Sequence, residues 1–217
     1  TPAATATLPP TPSPSPTPDA ALAPVTYAWI SDTQGYASTY PETFLAMTKW
    51  IVSEKDALNI QYVIHTGDVV NDMTRQREWE RATQAMDEFI GKIPVFAIAG
   101  NHDIKGMMHF YQDFSTLMDR QGYKNYPTFG AEEADGRRRY DLVTIGHDPF
   151  LLIGVGYSLA PSDVDWLNTT LRQYSDRTAI LIVHSYLALP GKAPELDAQM
   201  LHGVVATNPN ILYVLCG

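Results

Sequence analysis

Five residues able to bind metal ions or carry protons stand just past the ends of short apolar runs. They are Asp32 after "YAWIS", Asp68 after "QYVIHTG", Asn101 and His102 after "VFAIAG", and His184 after "AILIV". A carboxylate, a carboxamide oxygen and an imidazole nitrogen are donors that hard and borderline dications accept. Each alone has a plainer explanation, because Asp and Asn also end strands and cap the helices that follow. Recurrence behind four successive runs, with three donor chemistries mixed, is hard to produce by capping. Side chains at the carboxyl ends of neighbouring strands converge on one rim, where open α/β sheets place their ligands.

The elements that must build this rim are legible as an alternation of short apolar runs with segments of helical period, the pattern of a layered α/β domain. Strands are predicted at 26–31, 60–67, 94–100, 179–183 and 211–217, with a hairpin through "RRYDLVTIGHDPFLLIGVGY" turning at Gly146-His147-Asp148-Pro149. Helices are predicted at 41–58, 74–90, 107–120, 163–174 (Ser162 as N-cap, Asp165 three residues on) and 196–206. The stretch from Gly122 to Gly136 is polar and reads as a surface loop.

Composition narrows the class. With 217 residues, 45% of them hydrophobic, the chain can bury one sizeable core. Its apolar runs fall far short of the ~20 residues that span a bilayer. Residues 1–24 carry eight prolines among Thr, Ala and Ser and a single charge, Asp19, so they read as an extended linker before a domain at 25–217. Such tethers favour an exported protein, secreted or at the cell surface, joined to other modules. No basic-plus-apolar signal precedes the linker, so an upstream segment is expected to have been removed. The net charge of −9 argues against nucleic acid as the main partner. Cys216 is the sole cysteine and reads as a small buried hydrophobe.

"SDTQ", "HTGDVVND", "AGNHD" and "IVHSY", in that order from about Tyr27 onward, resemble the successive motifs of the calcineurin-like metallophosphoesterases. A "GNHD" with a "GD" some thirty residues before it is a specific signal. The resemblance implies a two-sheet β-sandwich with helices on its outer faces, four layers in the order α/β/β/α. It implies hydrolysis of small or polymer-linked phosphate esters at two divalent or trivalent metal ions (Mn, Fe, Zn, Mg or Ca). Carried over, Asp32 would bind the first metal and Asp68 would bridge both, taking part in catalysis. Asn101 and His184 would bind the second, with Asn101 also near substrate, and His102 would assist at the substrate phosphate. Two aspartates against four positive charges would leave the pocket net positive, supplying the attraction for phosphate that an acidic surface lacks.

Two departures from the family pattern stand out. The first motif usually reads Asp-x-His and here reads Asp32-Thr33-Gln34, so a Gln34 carbonyl oxygen would replace an imidazole. That harder donor shifts the first site towards Mn, Mg, Ca or Fe and away from Zn. A Gly-His-x-His motif usually follows the last core strand, whereas "NILYVLCG" ends at Gly217, so the expectation is a fragment of a longer protein with one ligand missing at each metal and, as given, weak activity or none. The rival expectation is a catalytically silent binding module on the same scaffold. Among the remaining polar residues, Asn71 is expected to contact substrate or orient His102, as is Asp72 with less force. Asp103 is expected to orient His102 or cap a helix. His65 reads as a satisfied core histidine, His109, His147 and His202 as surface residues, and "RRR" at 137–139 as a solvated edge. Tyr186 and Leu187 are expected to wall the pocket or fill a loop. A glycosylation sequon at Asn168 falls on a predicted helix.

Overall fold

The computed structural model describes residues 24–104, 111–133, 136–188, 190, 192 and 194–217. The expected linker up to Ala23, the first residues of the expected 107–120 helix and His109 lie outside these. Two sheets form the centre. Three parallel strands, β1 (Thr26–Ile30), β2 (Ile60–His65) and β3 (Val95–Ala97), lie in that order. The other sheet runs β4 (Phe129–Glu132), β5 (Arg138–Ile145), β6 (Asp148–Val155), β7 (Thr178–Ile182) and β8 (Ile211–Leu215). β4, β5 and β6 pair antiparallel, and β6, β7 and β8 pair parallel.

Strand periodicity sorts side chains into layers. On β6 and β7, Leu151, Ile153, Ala179 and Leu181 face a helix layer of α5 (Pro161–Gln173) and α6 (Leu196–Thr207). Leu152, Ile180 and Ile182 face inward and meet Tyr62, Ile64 and Phe96 of the first sheet. The first sheet's other face packs on α2 (Pro41–Ser53), α3 (Gln76–Met86) and α4 (Gln112–Arg120) through Phe44, Ile51, Ala82, Met86 and Phe114. The result is the four-layer α/β/β/α sandwich. Among the described residues no helix is long and apolar enough to cross a membrane.

Several expectations are corrected. The stretch 122–136 contains a short 3-10 turn (Tyr123–Asn125) and the edge strand β4. Gly130 hides that strand from the sequence pattern: a Cβ there would meet the Tyr140 ring at 2.2 Å, so the close packing of β4 on β5 demands glycine. A short helix, α1 (Gln34–Thr39), also goes unsignalled, its Gly, Ser and Thr being poor helix formers. The β5–β6 turn is only Gly146-His147, with Asp148 and Pro149 already paired to Ile145 and Thr144. Helix α5 starts from Ala160, not Ser162, with the Ala160 N–H donating to Asp163 Oδ2 at 2.7 Å. Arg139 is buried in a bidentate pair with Asp141, and Arg137 and Arg138 lean on the buried Asp163, so the triple arginine is no solvated edge.

The two sheets are tied to each other at their carboxyl rims. Tyr157 N–H, after β6, donates to Ala99 O after β3 at 2.9 Å, and a His184 ring nitrogen after β7 bonds Thr66 O after β2 at 2.9 Å. Gly217 after β8 lies against Ser31 after β1. The rim is therefore one continuous surface drawn from six strand ends.

Candidate functional site

The loops after β1, β2 and β3 touch backbone to backbone. Asp32 N–H donates to Gly67 O at 3.1 Å. A Cβ on Gly67 would sit 2.6 Å from Gly100 N, and one on Gly100 would sit 2.2 Å from Asp68 Oδ1. Gly67 also takes φ +102°, which L side chains rarely adopt. Asp32 (φ 54°) and Asp68 (φ 56°) both occupy the left-handed region, at a cost of about 1–3 kcal/mol each. Strain of this size in two adjacent carboxylates marks a site whose backbone is set by something other than local preference.

Ligand atoms of Asp32, Asp68 and His184 lie within 4.8 Å of one another, and Asn101 Oδ1 is 2.9 Å from His184 Nε2. The expected gathering of Asp32, Asp68, Asn101 and His184 is present. The hydrogen bonds show what the cluster lacks. A carbonyl oxygen only accepts, so His184 Nδ1 carries the proton it gives to Thr66 O. A ring with no second proton would turn a bare Nε2 towards Asn101 Oδ1 and, at 3.4 Å, towards Asp68 Oδ1. Acceptors facing acceptors at these distances need a shared cation, either a proton on Nε2 or a metal ion. Gln34 supplies a second sign: its Nε2 donates to Asp68 Oδ2 at 3.2 Å, which leaves its buried Oε1 with no partner. Carboxylate, amide oxygen and imidazole together suit a dication such as Mn²⁺. Replacing Gln34 by His is expected to tighten Zn²⁺ binding about tenfold in a calorimetric titration; an unchanged affinity would remove Gln34 from the ligand set.

His102 stands beside the Asp68 carboxylate. Its N–H donates to Asp68 Oδ1 at 3.0 Å, and its Nε2 lies 4.0 Å from Asp68 Oδ2. The ring is oriented by Asn71, through the main-chain oxygen that Nδ1 meets at 2.7 Å. Buried Glu78 of α3 fixes that stretch by accepting the N–H groups of Asn71 and Asp72. The Asn71 side chain is exposed and caps no helix, since α3 starts at Gln76, while Asp72 caps a turn through Thr74. Asp103 does not touch the His102 ring. Fully buried, it accepts the N–H groups of Val69, Val70 and Gly100 at 2.8–2.9 Å and so staples the β2 and β3 loops together.

His65 performs a similar task between the β1 and β2 loops. Gly67 N–H donates to Nδ1 at 3.1 Å, so the proton sits on Nε2 and is given to Thr33 Oγ1, which passes its own to Val69 O. Burial pushes the His65 pKa down from 6.5 to about 4, and burial also raises Asp103 from 3.8 to about 6 despite its three N–H donors. Stability from a neutral His65 is full above pH 6.5 and is lost as pH falls towards 4, on the order of 3 kcal/mol. Asp103 acts in the opposite sense, since its folded form holds a proton that the unfolded chain has released. The His65 and Asp103 contributions are therefore expected to offset each other between pH 4 and 6, whereas Asp103→Asn leaves His65 unopposed. Denaturant melts of that variant are expected to weaken more steeply on acidification than wild type.

The cluster opens into a cleft of about 490 Å³ whose opposite wall includes Ser185, Leu187, Lys192 and Glu195. Leu187 lines it as expected, but Tyr186 turns away and stacks edge-on with His202 at 4.7 Å. Glu195 went unsignalled in the sequence; Ser185 Oγ and Tyr157 OH both donate to its Oε2, and the Tyr157 ring meets His184 edge-on. His147 is exposed on its turn, His202 is tied to Tyr186 O, and Asn168 accepts from Asn208 within the helix layer. Cys216 is half-buried against the outer core.

Comparison with known proteins bears on family and fold. A protein of Bacillus subtilis (strain 168), "Uncharacterized protein YvnB", is 33% identical over 193 residues, covering 88% of this chain. The chain spans only 15% of that relative's length. A "Probable cyclic nucleotide phosphodiesterase" of Colwellia psychrerythraea is 30% identical over 93 residues, 41% of this chain and 35% of its own. Among solved structures, the purple acid phosphatase PPD1 of yellow lupin superposes with a TM-score of 0.57 at 14% identity, over 88% of this chain and 37% of the phosphatase. TT1561 of Thermus thermophilus gives 0.51 at 15% identity, over 88% and 80%. At these identities the structures speak to fold alone. The calcineurin-like phosphoesterase family model matches residues 25–217, and the chain belongs to that family.

Proposed function

We propose that the chain hydrolyses phosphate esters at two divalent metal ions, with Asp32 and Gln34 on one, Asn101 and His184 on the other, and Asp68 between them. The observation that carries this reading is a cluster of oxygens around one ring nitrogen, His184 Nε2 against Asn101 Oδ1 and Asp68 Oδ1, beside a buried Gln34 Oε1 without a partner. Two dications at these donors would supply Lewis acidity and a water ionised near neutral pH. The chain's own residues do the positioning. The His102 N–H and Gln34 Nε2 hold opposite oxygens of Asp68, which fixes the plane of the shared carboxylate. Thr66 O holds His184 by Nδ1, so that Nε2 is committed to the cluster. Asn71 O holds His102 by Nδ1, and the protonated ring has Nε2–H free to stabilise the phosphoryl charge or protonate the leaving oxygen. Across the cleft Leu187 offers apolar surface to the alcohol portion of the ester.

The test is hydrolysis of p-nitrophenyl phosphate and of its bis ester with Mn²⁺, Mg²⁺, Zn²⁺ or Fe²⁺ added. Turnover that a chelator abolishes supports the reading, and preference for the bis ester would align it with diesterases such as the Colwellia relative is named for. No turnover with any metal, in a chain extended past Gly217 as well, would favour the silent binding module. The Pro/Thr/Ser-rich residues 1–24 support, by composition alone, an exported and tethered setting for this domain.

A further inference from the structure

We propose that Trp29, Thr66 and Ser31 form a one-way hydrogen-bond relay that orients the Asp32 carboxylate as a metal ligand, an inference that rests on the metal-site reading above. The direction is forced from the carboxylate end: ionised Asp32 only accepts, so Ser31 spends its single O–H there and must accept from Thr66. An indole N–H can only donate, and Trp29 Nε1 gives its proton to Thr66 Oγ1 at 3.2 Å. The Thr66 hydroxyl donates its own proton to Ser31 Oγ at 2.6 Å, and Ser31 donates to Asp32 Oδ2. The last bond is charge-assisted, and polarisation along the chain strengthens it.

Asp32 depends on this chain. It is exposed, its backbone lies in the left-handed region at φ 54°, and no other side chain among the described residues bonds its carboxylate. With Oδ2 engaged by Ser31, Oδ1 is left for a cation. Thr66 makes the arrangement a joint one: its hydroxyl leads to Asp32 while its main-chain oxygen holds His184. It is fully buried, so neither bond is exchanged with water. Trp29 ends the relay on the outer strand β1 with half its surface (51%) in solvent. Trp29, Thr66 and Ser31 are therefore positioning residues that act on the metal through Asp32.

The experiment is Mn²⁺ titration of the whole chain by calorimetry, paired with tryptophan emission, for wild type, Ser31→Ala, Ser31→Thr, Thr66→Val and Trp29→Phe. Loss of an outer partner of a metal ligand weakens affinity roughly 10–100-fold, and that drop is expected in Ser31→Ala and Thr66→Val. Ser31→Thr restores a hydroxyl and is expected to bind within about threefold of wild type, a rescue that a merely structural role would not give. Metal-induced emission change is expected in wild type and absent in Trp29→Phe. Should Ser31→Ala fail to fold, Thr66→Val decides, since valine keeps both shape and main-chain carbonyl. A wild-type chain that binds no Mn²⁺ overturns the metal reading and the relay with it. Wild-type binding matched by Ser31→Ala and Thr66→Val, or weak binding by Ser31→Thr, overturns the relay alone.

Discussion

Gly100→Ala is expected to lose both fold stability and metal affinity, because the new methyl has nowhere to go. Its carbon would lie 2.2 Å from Asp68 Oδ1 and 2.4 Å from Asp68 N, and a main-chain nitrogen cannot swing aside as a side chain can. The β2 and β3 loops must part, which also stretches the Asp103 bonds to Val69, Val70 and Gly100. Overpacking of this kind costs about 1–3 kcal/mol, which lowers Tm by roughly 2–12 °C in a domain of this size. Metal affinity is expected to fall at least tenfold, since Asp68 is the group displaced. Gly203→Ala is the control: it lies within α6 with nothing near its added carbon, and is expected to gain up to about 1 kcal/mol. Parallel thermal melts and Mn²⁺ titrations check both, and a Gly100→Ala protein that melts and binds like wild type would show the loop contact to be slack.

The same contact explains why parts of the site are legible in the sequence and others not. Asp32, Asp68, Asn101 and His184 announce themselves because each follows an apolar run, and parallel strands must bring such positions to one rim. The strands are readable wherever both faces are buried, as in β6 and β7, because continuous apolar runs have few other uses. Edge strand β4 and helix α1 are not, since Gly130 and Gly35 dilute their patterns and packing overrides propensity there. The groups that aim the ligands leave the weakest trace. Asp103 sits beside His102 in sequence, yet it serves three amides on two loops; the His102 ring is held by a main-chain oxygen, which no residue type encodes. Ser31, Thr66 and Trp29 look like ordinary strand-end residues, and their partnership spans 35–37 positions of chain. Orientation depends on pairings between loops, and a single sequence records only the order of the parts.

Asp68→Asn is expected to have the largest effect on chemistry, and its sign differs with and without metal. Asp68 is 3% exposed and already engaged at both oxygens, Oδ1 by His102 N–H and Oδ2 by Gln34 Nε2. A carboxamide of the same size keeps one acceptor, so it can satisfy both His102 N–H and Gln34 only if Gln34 flips to turn its own oxygen inward. On the proposed two-metal reading it also removes the negative charge that Asp68 would set against both cations. Metal stoichiometry is expected to drop from two to at most one, and phosphoester hydrolysis by roughly 10³-fold. In chelator the outcome reverses in part. Asp32 and Asp68 lie within 4.8 Å and repel when both are ionised, so neutralising one offsets the lost hydrogen bond and the variant melts within a few degrees of wild type. Adding Mn²⁺ at about 100 times its Kd stabilises the wild type by about 2.7 kcal/mol, a rise of roughly 5–10 °C, and leaves Asp68→Asn nearly unmoved. Equal Mn²⁺ shifts in both proteins would show that the cations, wherever they bind, do not share Asp68.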